Sequence, residues 1–239
     1  MIRVEHLYKS FGRQTVLEDI NLSVEQGEIL VVMGESGSGK TVFLQHLIGL
    51  LRPDSGKVEI DGQDISGLPE PQLLKIRKDI GYLFQEGALY DFMTVSENAA
   101  FPLEEHTALS RREIAQRVHG VLKEVGLSDA ADKLPNQLSG GMKKRAALAR
   151  AIILGSRAIL CDEPTSGLDP RRSRDISELI RGISRKYNST TVITSHDVVN
   201  SFRIADRLAI IQEGRIVAVG SREELESSKD LAVRKFLLK

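Results

Sequence analysis

The chain has 239 residues, of which 41% are hydrophobic and 28% are charged, a composition typical of a folded globular protein rather than a disordered one. Lysine plus arginine equal aspartate plus glutamate at 33 each, so no net charge attracts nucleic acid, and we expect no nucleic-acid partner. A single cysteine, Cys161, excludes an internal disulfide and fits a reducing compartment. No uncharged apolar stretch approaches the ~18 residues of a membrane-spanning helix, so work at a membrane would require another chain.

The N-terminal part is predicted to contain strands and one helix. Residues 2–4, 20–24 and 58–62 alternate apolar and polar side chains, which predicts half-buried antiparallel strands. Residues 29–33 form a continuous apolar run, typical of a strand buried on both faces. Apolar residues then recur at helical spacing up to Leu51, which predicts a helix ended by Pro53.

Further along the chain, helical and strand patterns alternate. Apolar residues recur at helical spacing in 114–125 and 176–183, which predicts helices. Apolar runs predict buried strands at 80–84, 158–161 and 191–194, and residues 208–219 have the pattern of a β-hairpin. This order predicts an α/β fold with a mainly parallel sheet and an added antiparallel β layer. We expect one domain over 1–239, with an inserted helical subdomain at about 86–157 and an amphipathic C-terminal tail at about 228–239.

A phosphate-binding motif lies between a predicted buried strand and a predicted helix. Residues 34–41, Gly-Glu-Ser-Gly-Ser-Gly-Lys-Thr, match the Walker A pattern, in which glycines let backbone N–H groups point at phosphate oxygens. Lys40 would contact the β- and γ-phosphates, and Thr41 would offer its hydroxyl to Mg²⁺. A chance glycine turn, expected in roughly one sequence in a hundred, is the alternative. The predicted nucleotide-binding residues are Gly34, Glu35, Ser36, Gly37, Ser38, Gly39, Lys40, Thr41 and Val42.

An acidic pair ends the predicted strand 158–161. Buried acids are rare without a partner, so Asp162 and Glu163 at this position indicate a cation, as in a Walker B motif. Neighbouring side chains alternate along a strand, so we assign them different roles. Asp162 is predicted to bind Mg²⁺, and Glu163 to act as general base on the attacking water. The alternative is a strand-end turn with two solvated acids.

Two more polar residues follow apolar strands. Gln85 comes after residues 82–84, and His196 after residues 192–195. In open parallel sheets, ligands bind at the carboxyl ends of the strands. We therefore expect Gln85 to sense the metal or the water, and His196 to hydrogen-bond the γ-phosphate. Taken alone, either is more often a satisfied polar residue where a loop begins.

A second candidate anion site is predicted at the start of another helix. The sequence Leu-Ser-Gly-Gly-Met at 138–142 precedes a helical stretch, which places Ser139, Gly140 and Gly141 at a helix N-terminus. The Walker A motif of one chain binds a single nucleotide, so one chain supplies no second γ-phosphate for this helix N-terminus. The motifs at 34–41, 85, 138–142, 158–163, 166–169 and 196, in this order, resemble the ABC (ATP-binding cassette) ATPase family over nearly the whole chain.

The resemblance implies an ABC-type P-loop NTPase core that uses ATP and Mg²⁺. It also implies two subunits packed head-to-tail, with the signature helix of one facing the Walker A loop of the other. In this family Phe11 would stack on adenine, Asp169 would lie at the dimer interface, and His196 would act as the γ-phosphate switch. Lys40, Glu163 and His196 are the implied catalytic residues, and the implied metal residues are Thr41, Gln85 and Asp162.

One residue departs from the family pattern and narrows the subfamily. Met142 stands where glutamine is usual and cannot donate a hydrogen bond toward the partner-bound ribose. Segments 138–145, 84–98 and 101–107 look like those of the Mla (maintenance of lipid asymmetry) ATPases. This similarity implies phospholipid transport from the cytoplasmic face of the bacterial inner membrane, as a peripheral subunit. The implied partners are a second copy, a permease, a substrate-binding protein of the mammalian-cell-entry type and a STAS-domain protein.

Three other hypotheses about the function of the chain are compatible with parts of its sequence. A soluble ABC protein of DNA repair or translation usually has tandem cassettes or basic surfaces, and a small-molecule P-loop kinase would not need the signature or His196. An amino-acid importer or a lipoprotein-release ATPase would share every catalytic motif. Two minor features are expected to be structural: the charged run 143–145 as a solvated helix face, and four scattered histidines, His6, His46, His106 and His119.

Overall fold

The computed structural model describes residues 1–230, 233, 234 and 236, which form two β-sheets and flanking helices. The strands are β1 (Ile2–Phe11), β2 (Gln14–Val24), β3 (Ile29–Met33), β4 (Ser55–Ile60), β5 (Gln63–Asp64), β6 (Ile80–Leu83), β7 (Ala158–Asp162), β8 (Thr190–Ser195), β9 (Arg207–Gln212) and β10 (Arg215–Gly220). The helices are α1 (Lys40–Leu47), α2 (Glu70–Arg77), α3 (Val95–His106), α4 (Arg111–Glu124), α5 (Gly140–Ile152), α6 (Pro170–Tyr187), α7 (Val198–Ile204) and α8 (Arg222–Glu226). Short 3₁₀ turns lie at Ser128–Ala130 and Pro135–Gln137.

The larger sheet has the strand order β10-β9-β3-β8-β7-β6 and is parallel except for β10. Its central strand β3 is buried on both faces, which explains its uninterrupted apolar run. Ile29, Val31 and Met33 pack toward helices α3–α6, whereas Leu30 and Val32 pack toward α1 and the other sheet. The smaller sheet, β2-β1-β4-β5, is antiparallel. The predicted α/β fold with an added antiparallel layer is confirmed.

The chain between β6 and β7 is helical throughout its described elements. Capping boxes start α3 at Thr94 and α4 at Ser110, where each cap side chain accepts from the N3 amide and the N3 glutamate accepts from the cap amide. Apolar faces of α3, α4 and α5 join the core on one side of the larger sheet. The limits of a helical subdomain at about 86–157 remain a prediction.

The C-terminal tail predicted at about 228–239 lies partly outside the described residues. Among those described, Val233 is buried and Phe236 is half-buried, and both pack on the core that contains α3–α6.

Two predicted boundaries are wrong. Helix α1 ends at Leu47 and does not continue to Leu51 and Pro53, because the backbone turns left-handed at Gly49 (φ 63°). A side chain at position 49 would lie 2.7 Å from Leu73, so glycine is needed there. Strand β6 ends at Leu83, and Phe84 is exposed at the start of the following loop.

Candidate nucleotide site

Four neighbouring parallel strands bring the candidate residues to one edge of the larger sheet. The carboxyl ends of β3, β8, β7 and β6 lead into loop 34–39, His196, Glu163 and Gln85 in turn. They border an open cleft of about 580 Å³, within the range of small-ligand sites. The cleft is lined by Val16, Glu35, Ser36, Gly37, Gly39, Lys40, Thr41, Val42, Gln85, Glu163, Ser166 and His196.

The loop 34–39 has a backbone shape that requires glycine at two positions. Gly39 has φ 103° and caps α1, and a side chain there would lie 2.8 Å from Leu17. A side chain at Gly34 would lie 2.5 Å from the Ile211 carbonyl. The Ser38 hydroxyl is buried and has no hydrogen-bond partner among the described residues. The loop thus wraps tightly before the N-terminus of α1, an arrangement suited to an anion such as phosphate.

Lys40 supplies the positive charge inside this loop. Its side chain is 6% exposed, and its ammonium donates to the carbonyls of Gly34 and Glu35, both at 2.9 Å. The same nitrogen lies 3.3 Å from a carboxylate oxygen of Glu163. Lys40 therefore links the phosphate loop to the acidic end of β7, with its charge held at the floor of the cleft.

Asp162 and Thr41 form the oxygen-donor set that a divalent cation would use. The Asp162 carboxylate is buried and accepts hydrogen bonds from Thr41 Oγ1 at 3.1 Å and from Thr194 Oγ1 at 2.7 Å. Within the described part of the chain, no group of three or more His, Cys, Asp or Glu could hold a metal. This set fits Mg²⁺, which is usually bound by one or two carboxylates and completed by phosphate oxygens and water.

Glu163 is oriented by a backbone turn and not by strand alternation. Strand β7 ends at Asp162, and Glu163 has a left-handed φ of 45°, an uncommon geometry for a residue other than glycine. Its amide donates to Thr194 Oγ1 at 3.0 Å, and its Oε2 lies 2.7 Å from Nδ1 of His196. We assigned different roles to Asp162 and Glu163 because side chains alternate along a strand, but Glu163 lies beyond the end of β7, so strand alternation does not apply to it.

Thr194 is a site residue that sequence reasoning missed. One hydroxyl orients both acids, since it donates to Asp162 and accepts from the Glu163 amide. Thr194 follows the apolar pair Val192-Ile193 in β8, but hydroxyl residues are common in this strand, so the sequence offered only a weak signal. Val16 and Ser166 also line the cleft without having been assigned to it.

The predicted signature residues lie elsewhere on the chain. Ser139 caps α5, and its hydroxyl accepts from the Met142 amide at 3.4 Å. Ser139 and Gly141 border a separate cleft of about 200 Å³, together with Arg145 and Arg172. The two clefts have no described lining residue in common. A single chain therefore does not bring the signature to the phosphate loop.

Phe11 is likewise not among the described residues that line the phosphate cleft. It ends β1, is 48% exposed, and has the Lys9 ammonium 5.5 Å from its ring centroid. The ring is thus accessible for stacking, but its assignment to adenine stays a prediction.

Comparison with known proteins places these features in context. The family model described as "ABC transporter" matches residues 17–166. The chain is 44% identical over 236 residues to "Probable ribonucleotide transport ATP-binding protein mkl" of Mycobacterium leprae (strain TN), covering 99% of this chain and 68% of that protein. It spans only about two thirds of the length of such mycobacterial relatives. It is 42% identical to "Intermembrane phospholipid transport system ATP-binding protein MlaF" of Haemophilus influenzae (strain ATCC 51907 / DSM 11121 / KW20 / Rd), covering 99% of this chain and 90% of that protein.

A solved structure is similar over nearly the whole fold. The dimeric post-hydrolysis state of the ATP-binding cassette MJ0796 bound to ADP and Pi superposes with a TM-score of 0.85 at 32% identity. The match covers 92% of this chain and 98% of that one. Within the described residues, none of the helices combines the length and the apolar character needed to span a membrane.

Proposed function

This chain belongs to the ABC transporter family, and we propose that it binds ATP with Mg²⁺ and hydrolyses it at the interface of a head-to-tail dimer. The observation that carries the proposal is the separation of the two clefts. Lys40, Glu163 and His196 border one cleft, whereas Ser139 and Gly141 border another. Each chain therefore holds two incomplete halves of a site.

A two-fold dimer joins these halves. In an isologous arrangement, if the signature helix of one chain meets the phosphate cleft of its partner, the reverse contact forms as well. The α5 N-terminus would then face the γ-phosphate with its partial positive charge, opposite Lys40. The similar solved cassette is itself a dimer with ADP and Pi, which supports this arrangement.

The residues of the phosphate cleft then have distinct roles. The amides of 34–42 and Lys40 hold the phosphates, and Thr41 and Asp162 would hold Mg²⁺, which neutralises phosphate charge when bound. Gln85, which lines the cleft, would contact the metal or the water. Glu163 accepts a proton from the attacking water, and His196, 2.7 Å from Glu163, orients that carboxylate and contacts the γ-phosphate.

Replacing His196 with Ala should lower ATP turnover by about 10–100-fold while leaving most of the ATP affinity. The change removes one hydrogen bond to a charged group, typically about 1.5–3 kcal/mol, and leaves loop 34–39 and Lys40 intact. Turnover and ATP affinity should be measured separately in the assembled transporter. His119→Ala, on the exposed face of α4, is the matched control. If His196→Ala hydrolyses ATP at the wild-type rate, His196 has no catalytic role and is a structural residue.

Phospholipid is the substrate class that we favour. Two relatives named for intermembrane phospholipid transport, from Haemophilus influenzae and Escherichia coli, are 42% and 41% identical to this chain over 99% and 95% of its residues. The segments 84–98, 101–107 and 138–145, which look like those of the Mla ATPases, support the same substrate class. We place it at the cytoplasmic face of a bacterial inner membrane, beneath a permease, with STAS-domain and mammalian-cell-entry-type proteins as further partners.

The substrate is tested by purifying the tagged chain with its bound membrane partners from detergent-solubilised membranes. Reconstituted into vesicles, the complex should move fluorescent phospholipid in an ATP-dependent manner, and Glu163→Gln should abolish the movement. The same vesicles should be assayed with radiolabelled ribonucleotide and amino acids. ATP-dependent flux of either, without lipid movement, would replace phospholipid by that substrate.

A further inference from the structure

A buried lysine joins the helix that begins at Ser139 to the loop that contains Gln85. Lys144 lies on α5 and is 8% exposed, so the expectation of a solvated charged face at 143–145 is wrong for this residue. Its ammonium donates to the backbone carbonyl of Gln85. Arg145 is also engaged, since its guanidinium donates to the Val125 carbonyl at 2.8 Å.

A second side chain of α5 holds the same loop further along. Arg150 donates to the carbonyl of Gly87 at 2.9 Å and to that of Ala88 at 2.7 Å. The backbone is left-handed at both residues, with φ 79° at Gly87 and 48° at Ala88. An alanine in this conformation persists only where the surroundings hold it, so the loop depends on its contacts with α5.

A buried ammonium at this place requires compensation. Removal from water disfavours the charged form, so burial lowers the pKa of Lys144, while the negative charges of Glu86, Asp162 and Glu163 act in the opposite direction. An apolar residue would fill the same space without this cost. The hydrogen bond to Gln85 and the proximity to the acidic end of β7 therefore account for a lysine here better than packing does.

We propose that Lys144 is a positioning residue for Gln85: by holding the Gln85 carbonyl, it sets where the Gln85 side chain stands at the phosphate cleft. The same contact fastens this loop to the helix that carries Ser139. In the proposed dimer, Gln85 of one chain contacts one nucleotide site and Ser139 of the same chain contacts the other. Lys144 therefore connects the two nucleotide sites through a single chain. The inference rests on the proposed function through the role of Gln85 toward Mg²⁺, and the link between the two composite sites rests also on the head-to-tail dimer.

Lys144→Met tests this by keeping the length of the side chain and removing its donors. Groups that orient a metal ligand typically contribute about 10–100-fold in metal affinity or activity, so the half-saturating Mg²⁺ concentration for ATP turnover should rise by at least about 10-fold. Lys144→Arg, which keeps a charged donor, should restore most of the wild-type Mg²⁺ dependence. Lys143→Met is the matched control, because no hydrogen bond joins this side chain to the 85–90 loop among the described residues.

A second readout needs neither nucleotide nor metal. The Gly87 amide donates to the Phe84 carbonyl at 2.8 Å within the turn that Lys144 holds. Hydrogen exchange measured by mass spectrometry on the full chain should be faster for peptides covering 84–90 in Lys144→Met, and unchanged there in Lys143→Met. Exchange in β3, at the centre of the sheet, reports whether the variant is folded.

Gln85→Ala and the double variant with Lys144→Met separate the two ideas. If Lys144 acts through Gln85, the two changes together should cost little more than Gln85→Ala alone. A normal Mg²⁺ dependence in Gln85→Ala would overturn the role of Gln85 in the proposed function. If Gln85→Ala alters the Mg²⁺ dependence of turnover but Lys144→Met leaves both this dependence and hydrogen exchange at 84–90 unchanged, the positioning role of Lys144 alone is overturned. The positioning role is also overturned if the losses caused by Gln85→Ala and Lys144→Met add in the double variant.

Discussion

Glu163→Gln should hydrolyse ATP about 10²–10⁴ times more slowly than the wild type, equivalent to roughly 3–5 kcal/mol of activation free energy. Glutamine keeps the size of the side chain but cannot take a proton from water. In the structure Glu163 lies between Lys40 at 3.3 Å and His196 at 2.7 Å, and these contacts hold its carboxylate in the cleft where we propose that the γ-phosphate is attacked. The phosphate loop and Asp162 are unchanged, and ATP binding should persist.

The same variant should accumulate as a dimer with ATP and Mg²⁺. Without hydrolysis the γ-phosphate stays between Lys40 of one chain and Ser139 and Gly141 of the other, whereas in the wild type this state is short-lived. Light scattering coupled to size-exclusion chromatography should show the dimer with ATP and a monomer with ADP. The measurement should be repeated with the permease present, since free subunits are expected to associate weakly.

Ser139→Phe in the Glu163→Gln background provides the control for a composite site. The bulky side chain would block the start of α5, and the trapped dimer should not form, although each chain should still bind ATP. Ser139→Ala separates blockage from loss of the helix cap, which typically costs about 1 kcal/mol of stability. If the ATP-bound dimer still forms when Ser139→Phe is combined with Glu163→Gln, the head-to-tail site is refuted. If Glu163→Gln hydrolyses ATP at the wild-type rate, Glu163 is not the general base.

Lys40→Ala should weaken ATP binding by about 10–100-fold, in line with roughly 1.5–3 kcal/mol for a hydrogen bond to a charged group. Its ammonium is the buried cation of the phosphate loop, whose other groups are backbone dipoles, hydroxyls and the acidic side chain of Glu35. The loss should be greater for ATP and ADP than for AMP, because Lys40 is proposed to contact the β- and γ-phosphates, which AMP lacks. Isothermal titration calorimetry with the three nucleotides measures this difference.

Two variants complete the Lys40 test. Lys40→Met fills the space without the charge and should match Lys40→Ala if charge is the cause. Lys57→Ala removes a half-buried lysine of β4 that pairs with Glu59 and does not line the phosphate cleft, so nucleotide affinity should be unchanged. Wild-type affinity for ATP in Lys40→Ala would contradict the assignment of residues 34–41 to phosphate.

The sequence by itself determined the family and the fold class, because both depend on local patterns. Apolar runs identify buried strands, helical spacing identifies α4 and α6, and a glycine-rich loop before Lys40 has few uses other than holding phosphate. The prediction of an ABC ATPase with an α/β fold was confirmed for this reason. The residue roles and the transported substrate remain predictions.

The tertiary structure decided what depends on contacts between distant segments. It showed that Thr194 orients both acids of 162–163, that Glu163 is turned by a left-handed backbone, and that Lys144 is buried beneath the Gln85 loop. The local sequence predicts none of these features, because threonine is common in strands and lysine is common in helices without any role in a binding site. Burial and hydrogen-bond partners arise only when strands and helices that are far apart in sequence pack together, and it is this packing that separates the signature of one chain from its own phosphate cleft.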